Sequence, residues 1–299
     1  MRKTWSSVTV LVLSACTLAP LAAQATGDMT AEQRARRQAE AALALREQLE
    51  AERPIDAFDS VWIEELTWIE VRDAIRGGKT TAIISTGGIE QNGHYLATGK
   101  HNYVLEGACE GIARKLGDAL CAPIIKLVPE GAIDPPSGHM RFSGTLSLRE
   151  ETFRAVLDDV ASSLRAHGFE HIVFIGDSGG NQGGMEAVAA SLNERWGVRA
   201  AHFVPEFYRY ADVFAFMKSE LGIEEPVSDG THDDFVITAI MLASDPNTVR
   251  WQQRVDRGLA TINGLSIADR EKTAEIGRRL LQYRVDTTVA AIRAARMGG

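Results

Sequence analysis

The sequence predicts an α/β protein, a three-layer α-β-α sandwich around a mostly parallel central sheet. Three observations predict it. Apolar runs without strict alternation recur at 80–86, 122–128, 171–176 and 198–204, as in strands buried on both faces. Helical patterns separate them at 102–117, 149–167, 183–196 and 232–243, with a last one at 270–297. Polar, glycine-rich stretches follow two of the strands, where open α/β sheets bind ligands.

In chain order, residues 1–25 have a basic start (Arg2, Lys3), an apolar stretch and an Ala23-x-Ala25 ending, the pattern of a signal peptide. The segment "LSAC" at 13–16 also fits a lipobox, which would place a lipid anchor on Cys16. The soluble reading is preferred because the apolar run continues beyond that cysteine. Either way the chain is expected to be exported, to the periplasm or the extracellular space. Residues 29–52 are rich in Ala, Leu, Glu, Arg and Gln and end before Pro54, predicting a helix outside the main core. The expected division is a signal peptide at 1–25, a helical extension at 26–58 and one α/β domain at 59–299.

Around 149–167, Ser147 offers a cap, Glu150 follows three residues later and Gly168 closes the helix. After the signal only Cys109 and Cys121 remain. Two cysteines make no disulfide framework, so they are read as buried thiols. A net charge of −8 without a basic block excludes nucleic acid as a partner, and no later apolar run is long enough for a membrane span.

Two stretches carry chemistry. In "HIVFIGDSGGNQGG" (171–184), G-x-S-x-G between strand and helix suggests a serine nucleophile at Ser178, served by His202 or His232 with Asp212 or Asp229. Against this, four glycines precede any helical pattern, which predicts a ligand-facing loop rather than an elbow. The second reading is a metal site. Glu90, His94 and His101 lie in "STGGIEQNGHYLATGKH", Asp177 in the glycine loop, His139 in "PPSGHMRFSGTLSL", and Asp229, His232, Asp233 and Asp234 in "SDGTHDDF". Three such donors plus an open position are what a catalytic Zn²⁺ or Mn²⁺ requires.

The order and spacing of these stretches resemble the creatininase family of amidohydrolases over about residues 62–243. "LTWIEVRDAI", "GGIEQNGHYLATGKH", "GHMRFSGTLSL" and "GDSGGN" stand where that family has its characteristic motifs, and "THDDFVIT" echoes a late one. The resemblance places Glu90 on a metal-ligand glutamate. Asn92 replaces a ligand histidine, His101 the aspartate that bridges two ions, and Ser178 the histidine of the glycine loop. A neutral histidine has one lone pair and bridges two ions poorly.

The expectation is therefore a rebuilt centre with one Zn²⁺ or Mn²⁺ per subunit, held by Glu90, His101 and Asp177 with His94 or His232. Asp233 or Asp234, with His232, would move protons. His139, Arg141, Ser178 and Asn181 would contact a small-molecule amide or lactam. The family further implies a homo-oligomer. The alternatives are a serine hydrolase using Ser178 and a catalytically dead binding protein on the same scaffold.

Overall fold

The computed structural model describes residues 29–226 and 232–298. The proposed signal peptide, Cys16 and Asp229 lie outside the described residues. Contacts divide the chain into two compact units, Met1–Asp56 and Ala57–Gly299. In the first, α1 (Ala31–Glu50) starts at a capping box in which the Thr30 hydroxyl accepts from the Gln33 amide, and it buries none of its residues.

The second unit runs α2 (Trp68–Arg76), β1 (Thr81–Thr86), α3 (Lys100–Leu116), β2 (Ala119–Cys121), α4 (Glu150–Ala166), β3 (His171–Gly176), α5 (Gln182–Trp196), β4 (Ala201–Phe203) and α6 (Tyr210–Leu221). It continues with α7 (Phe235–Ser244), α8 (Trp251–Asp256), a hairpin of β5 (Thr261–Ile262) and β6 (Leu265–Ser266), and α9 (Arg270–Met297). The main sheet is parallel throughout, in the order β2-β1-β3-β4. Helices α3 and α9 pack together against it with α7 lying on both of them, and α4 and α5 pack together against β3. β1 is buried at every position, which is why its sequence shows no alternation.

Four expectations about secondary structure change. The strand expected over 122–128 is formed by Ala119–Cys121 instead, because Pro123 has no amide to donate; beyond it only isolated bridges remain, at Ile125 and Val128. Ser147 does not cap α4: its hydroxyl accepts from the Glu130 amide and donates to the Gly131 carbonyl. The late helix begins at Phe235 rather than 232, after a left-handed His232 (φ 64°). The glycine run after Ser178 is helix, not loop: a 3₁₀ turn over Gly179–Asn181 leads directly into α5. Gly184 lies against the Phe153 ring, 2.8 Å from where its Cβ would be, so that glycine serves the close packing of α5 on α4.

Cys109 and Cys121 form a disulfide, correcting the expectation of free thiols. The sequence places one on a helix and the other on a strand, and only the packing of α3 beside β2 brings their Cα atoms to 6.2 Å. Replacing both cysteines by serine is expected to lower unfolding free energy by about 2–4 kcal/mol. Urea denaturation of the variant beside the oxidised parent measures it.

Candidate active site

The site forms where β1 and β3 end. β1 runs into Gly87 and Gly88, and a side chain on Gly88 would strike the Glu130 carboxylate and the His101 ring, so glycine there admits both. The following loop is pinned by Asn92, whose Nδ2 donates to the carbonyls of Glu90 (3.0 Å) and Ala97 (3.1 Å). That pinning holds Glu90 in the interior at 2% exposure. Helix α3 starts at Lys100, so Lys100 and His101 occupy its first turn. β3 stops at Gly176, which frees Asp177 and Ser178 from the strand's alternation.

These elements place a cluster around Glu90. Its Oε1 lies 2.8 Å from His101 Nε2, 3.0 Å from His232 Nδ1 and 3.4 Å from Lys100 Nζ, while its Oε2 lies 3.2 Å from His139 Nε2. His101 continues to Asp177, with Nδ1 2.8 Å from Oδ2. Asp177 Oδ1 receives Arg284 Nη2 at 2.5 Å and the Tyr210 hydroxyl at 3.0 Å. The Ser178 hydroxyl donates to Glu130 Oε2 at 3.1 Å, and Glu130 Oε1 is buried without a hydrogen-bond partner among the described residues. All of these residues except Arg284 line a cavity of about 1100 Å³, whose other walls include Ile133, Leu148, Tyr208, Phe214 and Ile237.

Burial alone would push every one of these carboxyl groups up. In Glu90 that effect is outweighed by hydrogen bonds from His101 and His232 and by the charges of His101 and Lys100, and the group lies well below the usual range. In Asp177, Arg284 and His101 likewise outweigh burial. Burial and the charge of Lys100 lower His101, but its bonds to Asp177 and Glu90 prevail and raise it. Glu130 has no such cation bonded to it; burial and the neighbouring Glu90 charge push it up to about 8.

Two donor sets converge closely enough to hold a metal ion: Glu90 with His139 and His232, and Glu90 with His101 and Glu130. In the first, His232 Nδ1 lies 3.0 Å from Glu90 Oε1 and His139 Nε2 lies 3.2 Å from Glu90 Oε2, so the two imidazoles meet opposite oxygens of one carboxylate, near the roughly 3.3 Å between donors of a tetrahedral ion. Two imidazoles and a carboxylate suit Zn²⁺ or Mn²⁺, so these residues fit such an ion. In the second set both nitrogens of His101 are taken by carboxylate oxygens.

The expected site residues separate accordingly. Glu90, His232, His139, His101, Asp177, Ser178 and Asp234 come together on the cavity. His94 and Arg141 are exposed and outside its lining. Asp233 turns away to Arg254 Nη1 at 2.6 Å, and Asn181 Nδ2 clamps the carbonyls of Thr86 and Gly87. Asp177 is committed to Arg284, Tyr210 and His101, so it orients His101 rather than facing the cavity with a free oxygen pair. Ser178 has Glu130, not a histidine, on its hydroxyl; His202 pairs instead with His171 (3.1 Å), and Asp212 is exposed.

Glu130, Lys100, Tyr208, Tyr210 and Arg284 were not singled out from the sequence. Glu130 could have been, since it ends the apolar run that leads into "PPSGH", and Lys100 adjoins His101. Arg284 sits inside an ordinary helical pattern and gives no signal.

A family model described as "Creatininase: Creatinine amidohydrolase" matches residues 64–292. The chain belongs to the creatininase family. A creatinine amidohydrolase of Pseudomonas putida is 26% identical over 211 residues, covering 68% of this chain and 78% of that protein. Among solved structures, a mutant creatininase of "Zn-Zn type" and a "Creatininase Mn" each superpose with a TM-score of 0.58 at 22% identity, covering 79% of this chain and 98% of theirs. These establish a shared α/β fold.

Two outcomes are expected. Asp177→Asn leaves Arg284 buried without its counter-charge and should cost about 3–5 kcal/mol of unfolding free energy, read by chemical denaturation. For Glu130 in metal-free protein, a folded pKa above the unfolded one means the native state holds the extra proton. Its contribution to stability is thus lost as pH rises from the ordinary glutamate range toward about 8. The Glu130→Gln protein should lack that decline when melting temperatures are compared across pH.

Proposed function

We propose that this chain is an exported, metal-dependent amidohydrolase that cleaves a C–N bond in a small cyclic or linear amide. The observation that carries the reading is the convergence of Glu90, His139 and His232 at a cavity large enough for a small molecule. Glu90, His139 and His232 would hold one Zn²⁺ or Mn²⁺ per subunit, which when bound polarises an amide carbonyl and lowers the pKa of nearby water. Export is supported by the signal-like N-terminus and by the Cys109–Cys121 disulfide, which persists in oxidising compartments. No helix among the described residues is long and apolar enough to cross a membrane. A symmetric homo-oligomer is the assembly expected from the family.

The chain's own groups divide the remaining work. Asp234 lines the cavity, accepts from Asn263 at 3.0 Å, and can take a proton from the attacking water. Glu130, whose carboxyl burial pushes up, can carry a proton to the leaving nitrogen, and the Ser178 hydroxyl holds its other oxygen in place. Gly179 and Gly180 bring the backbone at the start of the 3₁₀ turn to the cavity wall, where amides can face a developing oxyanion. The Tyr208, Phe214 and Ile237 side chains offer apolar cover for the substrate's body.

The serine-hydrolase reading loses its base, because the hydroxyl of Ser178 points to Glu130. Glu90→Ala should abolish both metal retention and hydrolysis across a panel of lactams and linear amides while leaving the circular dichroism spectrum unchanged. Full hydrolytic activity in that variant, or activity in the parent that survives complete chelation, would remove the proposal.

A further inference from the structure

The metal reading accounts for Glu90, His139 and His232, but not for a lysine buried beside them. Lys100 is 4% exposed, lines the cavity and puts its ammonium 3.4 Å from Glu90 Oε1. A lysine is rarely buried to this degree unless it meets fixed negative charge. Its neighbour His101 fills the gap between Glu90 and Asp177, with 2.8 Å contacts to each.

In the Zn-Zn creatininase two ions occupy a related fold, and the sequence resemblance puts ligands for them at positions 90, 92, 101 and 178. Only Glu90 is retained. Asn92 is spent on backbone carbonyls and Ser178 on Glu130. His101 spans Asp177 and Glu90 with its two ring nitrogens, and with a single lone pair it cannot bridge two ions as an aspartate does.

The charge inventory leads the same way. Arg284 already pairs with Asp177, and the ammonium of Lys100 sits 3.4 Å from the same Glu90 oxygen that faces His101 and His232. A second divalent ion beside Glu90 would meet that fixed positive charge at contact distance and be repelled.

We infer that Lys100 and His101 stand in for the second metal ion of the two-ion creatininase centre, so that this pocket accepts one divalent ion and uses side-chain donors where its relatives use metal. The inference rests on the reading of Glu90, His139 and His232 as an ion site, and the following experiment separates the two.

The full chain, stripped with chelator and dialysed, is titrated with Zn²⁺ by calorimetry, with elemental analysis of the saturated protein. Beside it run Lys100→Met and the double variant Lys100→Met/His101→Asp, each checked by circular dichroism. The parent should bind one equivalent. Lys100→Met should bind that ion about tenfold more tightly because a nearby positive charge is gone, and the double variant should take up a second equivalent.

Two equivalents in the parent overturn the inference. So does a folded double variant with no added equivalent. If the double variant does not fold, Lys100→Met decides, and an unchanged affinity overturns it. A parent that binds no zinc refutes the ion site at Glu90, His139 and His232. That outcome overturns the inference with it, whereas two equivalents in the parent overturn the inference alone and leave that site standing.

Discussion

The burial of carboxylates at the ends of β1 and β3 is the constraint around which the molecule is organised. Glu90 and Asp177 are at 2% and 0% exposure, and desolvating an ionised carboxylate costs several kcal/mol unless cations and hydrogen bonds compensate. His101 spans the two, and Arg284 and Tyr210 complete the shell of Asp177. Arg284 comes from α9, 107 positions along the chain, and its guanidinium also stacks 3.9 Å over the Phe207 ring. One electrostatic requirement thus ties the last helix to the end of a central strand.

The scaffold makes such burial possible by bringing backbone close to backbone. Glycine at position 88 lets Glu130 and His101 approach the end of β1, and the helix that begins at Lys100 points its first turn at the carboxylates. The same helix carries Cys109, two turns further on, which is covalently joined to β2. The site helix is therefore anchored to the sheet at a point independent of the charges it serves. On the opposite face Gly184 lets α5 lie close on α4, so the backbone turn after Ser178 is supported from behind.

The chain shares the α/β architecture of the creatininase family, and its polar cluster converges on Glu90. His139 and His232, from a 3₁₀ turn and from a left-handed residue ahead of α7, approach it from other loops. His232 has a positive φ of 64°, and its Nδ1 meets Glu90 Oε1 at 3.0 Å. Glu130, pushed up by burial and by the Glu90 charge, differs in this from Glu90 and Asp177, whose cation and hydrogen-bond partners hold them down.

Local sequence by itself determined the alternation of strands and helices, the burial of β1 and of β3 beyond His171, and the strand ends as the place for chemistry, because these follow from hydrophobic periodicity and chain punctuation. It also singled out Glu90, His139, His232 and Asp234, since polar residues crowded into turns are visible one at a time. What it could not show is which donors meet. Glu90 and His232 are 142 positions apart, and whether His101 faces a metal or two carboxylates depends on where α9 delivers Arg284. His94, Arg141 and Asp233 have the right chemistry but point elsewhere. The glycine run read as a loop is a helix start because α4 packs against it, and the cysteines read as thiols are bonded because α3 lies beside β2. Tertiary packing decided each of these, since side-chain direction and long-range proximity are not properties of any local stretch.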